Sequence, residues 1–173
     1  MDTMLRVTIG NHAKLSEIAD NKANILLSIN AVIISISLSS LIPKLATADK
    51  SYLILPTLIM ICFCVVGIVF AILSTRPKLS NRKYSKKDLE QLNINLLFFG
   101  NFSKLSIEEY QSAMHTLIQD KNEIYNAMIR DLYYLGVVLD RKYRLLRICY
   151  TLFMIGTVVS VISYLIAFNL TVL

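Results

Sequence analysis

Residues 17–42 read EIADNKANILLSINAVIISISLSSLI. From Asn24 to Pro43 no Asp, Glu, Lys, Arg or His interrupts the chain, and the same holds from Ser51 to Thr75 and from Ile148 to Leu173. Each run is close to or above the roughly 20 residues with which a helix, rising about 1.5 Å per residue, crosses the hydrocarbon layer of a bilayer. The first run therefore predicts a membrane helix, although polar residues recur along it. With a rotation of about 100° per residue, Glu17, Asp20, Asn24, Ser28, Ala31, Ser35 and Ser39 fall within an arc of about 100°. They form one polar stripe, while Ile25, Leu26, Ile29, Val32, Ile33 and Ile36 fill much of the remaining surface. Asn30 and Ser37 make a shorter polar pair on the far side. Two uses fit such a stripe. Small and hydroxylated residues let helices approach closely and hydrogen-bond, for about 0.6–2 kcal/mol per bond; alternatively, intramembrane polar residues line a wet path between assembled chains.

Working outward, the 173 residues are 55% hydrophobic with a mean hydropathy of +0.55. That is too apolar for an ordinary soluble domain of this length. The predicted fold class is an all-α membrane protein: three transmembrane helices, with a helical cytoplasmic module between the second and the third. The expected pieces are a tail at 1–23 that extends helix one, spans at 24–42, 51–75 and 148–169, a short external loop at 43–50, and the module at 76–147. A cleaved secretory signal fits poorly, because Glu17, Asp20 and Lys22 mix charges ahead of the first run and no small-residue cleavage site follows it cleanly.

Charge sets the expected orientation. Residues 76–147 hold thirteen Lys/Arg against eight Asp/Glu and so carry nearly all of the net +6. The cluster Arg76, Lys78, Arg82, Lys83, Lys86 and Lys87 follows the second run, and Arg141, Lys142, Arg144 and Arg147 precede the third. By the positive-inside rule both membrane ends, and with them the N-terminus, lie in the cytoplasm. Basic residues beside a membrane also attract anionic headgroups, at about 1 kcal/mol each close to the surface, which makes membrane lipid an expected partner. They hug the membrane rather than form a free patch, which argues against nucleic acid as a partner.

The middle segment has its own signals. STRPKLSNRKYSKKDL, from Ser74, is rich in helix breakers, and LNINLLFFGNFSKLS, from Leu92, reads as an extended or turn segment packed on helices. SIEE at 106–109 is a capping box that starts a helix at Ile107, which should run to about Gln119. From Glu123, apolar residues at helical spacing continue without a proline into the third run, so one long helix is expected to enter the membrane. Its lower part is expected to pack on the extension of helix one, with Leu15 and Ile18 as the apolar edge.

No Ser/His/Asp set, P-loop, dinucleotide fingerprint or paired-carboxylate motif occurs, so an enzyme is not predicted. His12 and His115 lie far apart, and Cys62, Cys64 and Cys149 fall within or at the start of apolar runs; neither a metal site nor any other cofactor is expected. Gly67 with Ala71, and Gly156 with Ser160, are small residues four apart, and Ser163 and Ala167 extend the second stripe. A single three-helix chain has limited room to hide three such faces, which points to a homo-oligomer.

Three stretches, KLSEIADNKANILLSINAVIISI (14–36), NLLFFGNFS (95–103) and LGVVLDRKYRLLRICYTLFMIG (135–156), resemble the membrane effector of Pycsar antiphage systems, the PycTM family. The resemblance spans about Asn11 to Ala167. It implies a bacterial inner-membrane protein with a partner cyclase that makes a cyclic pyrimidine nucleotide, cCMP or cUMP, on phage infection. The effector answers by impairing the membrane, and infection is aborted. The resemblance fixes no binding residue. By residue type, Arg82, Lys83, Arg130 and Arg141 are candidate phosphate contacts and Tyr84, Phe98 and Tyr134 candidate stacking partners. Two other readings stay open: a membrane-anchored module that recruits a protein partner without forming a pore, and a ligand-independent toxin resembling a holin.

Overall fold

The structure is a computed structural model that describes residues 2–45, 52–77 and 95–172. Five helices are seen there: α1 (Asp2–Leu45), α2 (Ile54–Thr75), α3 (Phe99–Phe102), α4 (Ile107–Gln119) and α5 (Lys121–Val172), with no strand among the described residues. The expected all-α fold is the one found. α1, α2 and α5 are each long and apolar enough to cross a membrane, and only 17%, 28% and 11% of their most apolar windows are buried within the chain. So little coverage of so much apolar surface fits a bilayer rather than water, given the cost of exposing it.

The chain divides into two compact units. The first comprises Met1–Leu15 with Pro77–Asp140, and the second Ser16–Arg76 with Arg141–Leu173. In the second, Ala19, Ala23 and Leu26 of α1, Ala71 of α2, and Leu146 and Cys149 of α5 form one buried cluster. Small residues let these helices approach. A Cβ on Gly67 would stand 3.2 Å from Asn30 Nδ2, and one on Gly156 would stand 2.6 Å from Phe63 Cβ. The Cys149 thiol donates to the Gly67 carbonyl at 3.2 Å. Polar groups between the helices are largely paired, as apolar surroundings demand. Asn30 Nδ2 donates to the Leu26 carbonyl at 2.9 Å, and Thr57 Oγ1 donates to the Leu53 carbonyl at 2.7 Å. That use of the single Thr57 proton leaves Tyr164 as donor in the 2.7 Å hydroxyl pair joining α2 to α5.

In the first unit Leu96, Ala113, Leu117 and Ala127 are buried together, flanked by Leu105, Tyr110, Met114 and Ile124. The capping box forms as the sequence predicts. Ser106 Oγ accepts from the Glu109 amide at 3.2 Å, and the Ser106 amide donates to the Glu109 carboxylate at 3.0 Å. The segment expected to be extended or a turn contains one helical turn, α3. Two details of the α1 packing differ from expectation. Leu15 and Ile18 are exposed, and the packed edge is Leu5 in the first unit and Ala19 in the second. By register Leu5, His12, Ala19, Ala23 and Asn30 share one side of α1, so the edge lies about 100° from where Leu15 and Ile18 would place it.

Candidate functional site

The stripe on α1 is the most unusual surface of the second unit. Asn24, Ser28, Ala31, Ser35 and Ser39 are all exposed, as is Glu17, with Asp20 half-buried. The polar residue that packs inside is Asn30, 1% exposed and seated against Gly67. Gly67, Ala71, Gly156 and Ser160 are likewise buried within the chain. The small-residue faces of α2 and α5 are thus used inside one chain, and that of α1 is left outward. The exposed hydroxyls elsewhere are differently placed: Thr151 and Thr157 of α5 donate to the Arg147 and Phe153 carbonyls at 2.9 and 2.8 Å. Asn24, Ser28 and Ser35 make no such bond among the described residues.

At the charged end of the stripe an ion pair joins α1 to α5. Lys142 Nζ donates to Asp20 Oδ1 and Oδ2, both at 2.8 Å, and to Ser16 Oγ at 2.9 Å. All three ammonium protons are thereby used. The Lys142 side chain is 18% exposed and Asp20 39%, which makes the pair a partly buried clamp rather than a solvated surface contact.

In the first unit, the turn before α3 is tied to α5. Asn95 Nδ2 donates to Asp131 at 2.7 Å, the Asn95 side-chain oxygen accepts from the Leu97 amide at 3.0 Å, and Asn101 Nδ2 donates to the Asn95 carbonyl at 3.1 Å. The Asn101 and Phe102 amides both bond the Phe98 carbonyl, so the glycine turn spends these donors on itself. A Cβ on Gly100 would stand 2.5 Å from Phe98 Cε1, because the phenyl ring lies over the glycine. Phe102 and Tyr110 stack at 5.2 Å.

Of the ligand candidates, Phe98, Arg130 and Tyr134 lie in the first unit and Arg141, exposed, in the second. Arg130 faces Glu123 at 3.7 Å, with both side chains well exposed. Tyr134 is 56% exposed and meets Tyr133 edge to face at 5.6 Å. Arg82, Lys83 and Tyr84 lie outside the described residues, as do the rest of that basic cluster beyond Arg76. Sequence reasoning missed Asn95 and Asp131, and read Lys142 only as a member of the basic cluster. The pairing of Lys142 with Asp20 depends on which sides of α1 and α5 meet, which the sequence does not fix. His115 is exposed, whereas His12 Nδ1 is buried and lacks a hydrogen-bond partner among the described residues. Among those residues no three His, Cys, Asp or Glu side chains converge as a metal site would require.

The sequence from residue 3 to 167 matches the family model described as the Pycsar effector protein domain, PycTM. No curated protein and no solved structure matches it.

Proposed function

The chain belongs to the Pycsar effector family of antiphage defence, and on that footing we propose that it answers a cyclic pyrimidine nucleotide, cCMP or cUMP, by impairing the bacterial inner membrane and aborting infection. The nucleotide comes from a partner cyclase. The first unit lies in the cytoplasm and carries the sensing surface, with Arg130 and Tyr134 as the exposed charged and aromatic groups on α5. The response is a change in how several copies of the chain pack in the membrane. No catalytic step is needed.

The observation that carries this reading is the outward stripe on α1. A hydroxyl or amide held in hydrocarbon without a partner costs about 1–3 kcal/mol, so a lipid-facing Asn24, Ser28 and Ser35 favour a second copy that supplies partners, or water that replaces lipid. A nucleotide that binds one arrangement of the copies more tightly than another shifts the population toward it. α1 and α5 each contribute residues to both units, which gives the shift a continuous route through the backbone.

The test is release of potassium or dye from liposomes bearing the full chain, with and without cCMP and cUMP. Nucleotide-dependent release is expected. An inserted protein that leaks with neither nucleotide rejects the proposal, and equal leak without any nucleotide moves the reading to a holin-like toxin. Co-purification of a stoichiometric protein partner with an intact membrane would favour the anchored module.

A further inference from the structure

We propose that the arginines at the charged rim of the second unit form a binding surface for anionic phospholipid, with the phosphate at the guanidinium groups and the acyl chains on the apolar surface of α5 beyond them. Arg141, Arg144 and Arg147 are all exposed, whereas Lys142, Leu146 and Cys149, interleaved with them, face the helix packing. At about 100° per residue the three arginines occupy an arc of about 120° on the side of α5 turned away from that packing. The same arc continues as Ile148, Ile155, Val158 and Ile162, each between 42% and 58% exposed. One side of one helix is therefore cationic for about two turns and apolar for the next four. That is the order of polarity in a phospholipid lying along it, and a free phosphate or soluble nucleotide would use only the first part.

The charge balance supports the same occupant. Glu17 and Asp20 are the only acids among the described residues of the second unit, and Asp20 is taken up by Lys142. With Asp140, which directly precedes Arg141 on α5, three acids stand against the six cations Lys22, Arg76, Arg141, Lys142, Arg144 and Arg147. Lys22 on α1 and Arg76 after α2 are exposed and add to the positive rim. Guanidinium forks match phosphodiester oxygens two at a time, which a lysine ammonium does not do.

The inference depends on membrane insertion and not on the nucleotide response, and its test reads lipid alone. The full chain is reconstituted in phosphatidylcholine vesicles with a trace of spin-labelled phosphatidylglycerol or, separately, spin-labelled phosphatidylcholine, and electron paramagnetic resonance gives the fraction held at the protein. Phosphatidylglycerol is expected to be preferred about threefold at low salt, and the preference is expected to fall toward one near 1 M salt, where the screening length is about 3 Å. In R141Q/R144Q/R147Q it is expected to fall similarly, while R141K/R144K/R147K keeps the charge and retains part of it. Lys121→Gln, an exposed cation of the first unit, is expected to leave it unchanged. The salt titration of the unaltered chain reads the contact even if the glutamine variant fails to insert. Equal association of the two lipids, a preference insensitive to both salt and the glutamine changes, or displacement of the labelled lipid by cCMP or cUMP would each overturn the assignment.

Discussion

Single atoms decide how closely the membrane helices meet. An alanine methyl at position 156 collides with Phe63 Cβ and Cγ, at 2.6 and 2.7 Å, and these atoms lie near the backbone and yield little. At position 67 the neighbour is the end of the Asn30 side chain at 3.2 Å, which has more freedom to move. Gly156→Ala is therefore expected to destabilise the chain by about 1–3 kcal/mol and Gly67→Ala by less, as thermal or denaturant unfolding in detergent would record. The Lys142 clamp offers a second prediction at this scale. Lys142→Met strands a half-buried Asp20 carboxylate and removes three charge-assisted hydrogen bonds, so a loss of about 1–2 kcal/mol is expected after allowance for solvent screening. The reversed pair D20K/K142D should recover part of it, and a double-mutant cycle separates the pairing from the effects of each change alone. The spacings Gly67/Ala71 and Gly156/Ser160 were legible in the sequence as places of close approach. That Asn30 and Phe63 fill those places was not, because it depends on how the helices rotate against one another.

At the scale of the element, local chemistry governs most of what is seen. α4 begins at Ile107 and ends at Gln119, because Ser106 and Glu109 satisfy each other's amides and because the chain turns extended at Asp120. Ser106→Ala is expected to cost about 0.5–2 kcal/mol and to speed amide hydrogen exchange over residues 107–110. Glu108, in the same first turn, has its carboxyl held below the ordinary value, chiefly by a hydrogen bond from its own backbone amide and then by the Ser106 hydroxyl. A lowered folded-state value means that the ionised form favours folding. This contribution is present above the ordinary carboxylate range and lost as pH falls through the lowered value. Protection factors at the start of α4, which remove the intrinsic pH dependence of exchange, are expected to fall on acidification, and Glu108→Gln to reduce that dependence. The continuity of α5 also followed from the sequence, since a helical apolar period ran unbroken by proline from Glu123 into the third run. A turn within 95–102 was also read from the sequence, but its lock, Asn95 to Asp131, was not, because the two lie thirty-six residues apart.

Among the described residues, the polar stripe of α1 is a membrane face that the chain's own helices do not cover. α2 and α5 turn their small residues inward and α1 turns Asn24, Ser28 and Ser35 outward, which is why the proposed assembly is placed on α1. Ser28→Leu with Ser35→Leu tests this. If the stripe lines a wet path, assembly by cross-linking persists while liposome leak is lost. If the stripe is a packed seam, the oligomer itself weakens, at about 0.6–2 kcal/mol for each hydrogen bond forgone. Unchanged assembly together with unchanged leak would remove α1 from both roles.

The sequence by itself determined the three membrane helices, the capping box of α4, the long α5 and the polar stripe of α1. Each depends on length, periodicity or contacts within a few residues. Only the tertiary structure decided which side of each helix is inside: that Asn30 rather than Ser28 or Ser35 is the buried polar residue of α1, that Leu15 and Ile18 are not its packed edge, and that Lys142 belongs to Asp20. Within a single helix every side is equally available, and the choice comes only when the small residues of neighbouring helices fix how they meet.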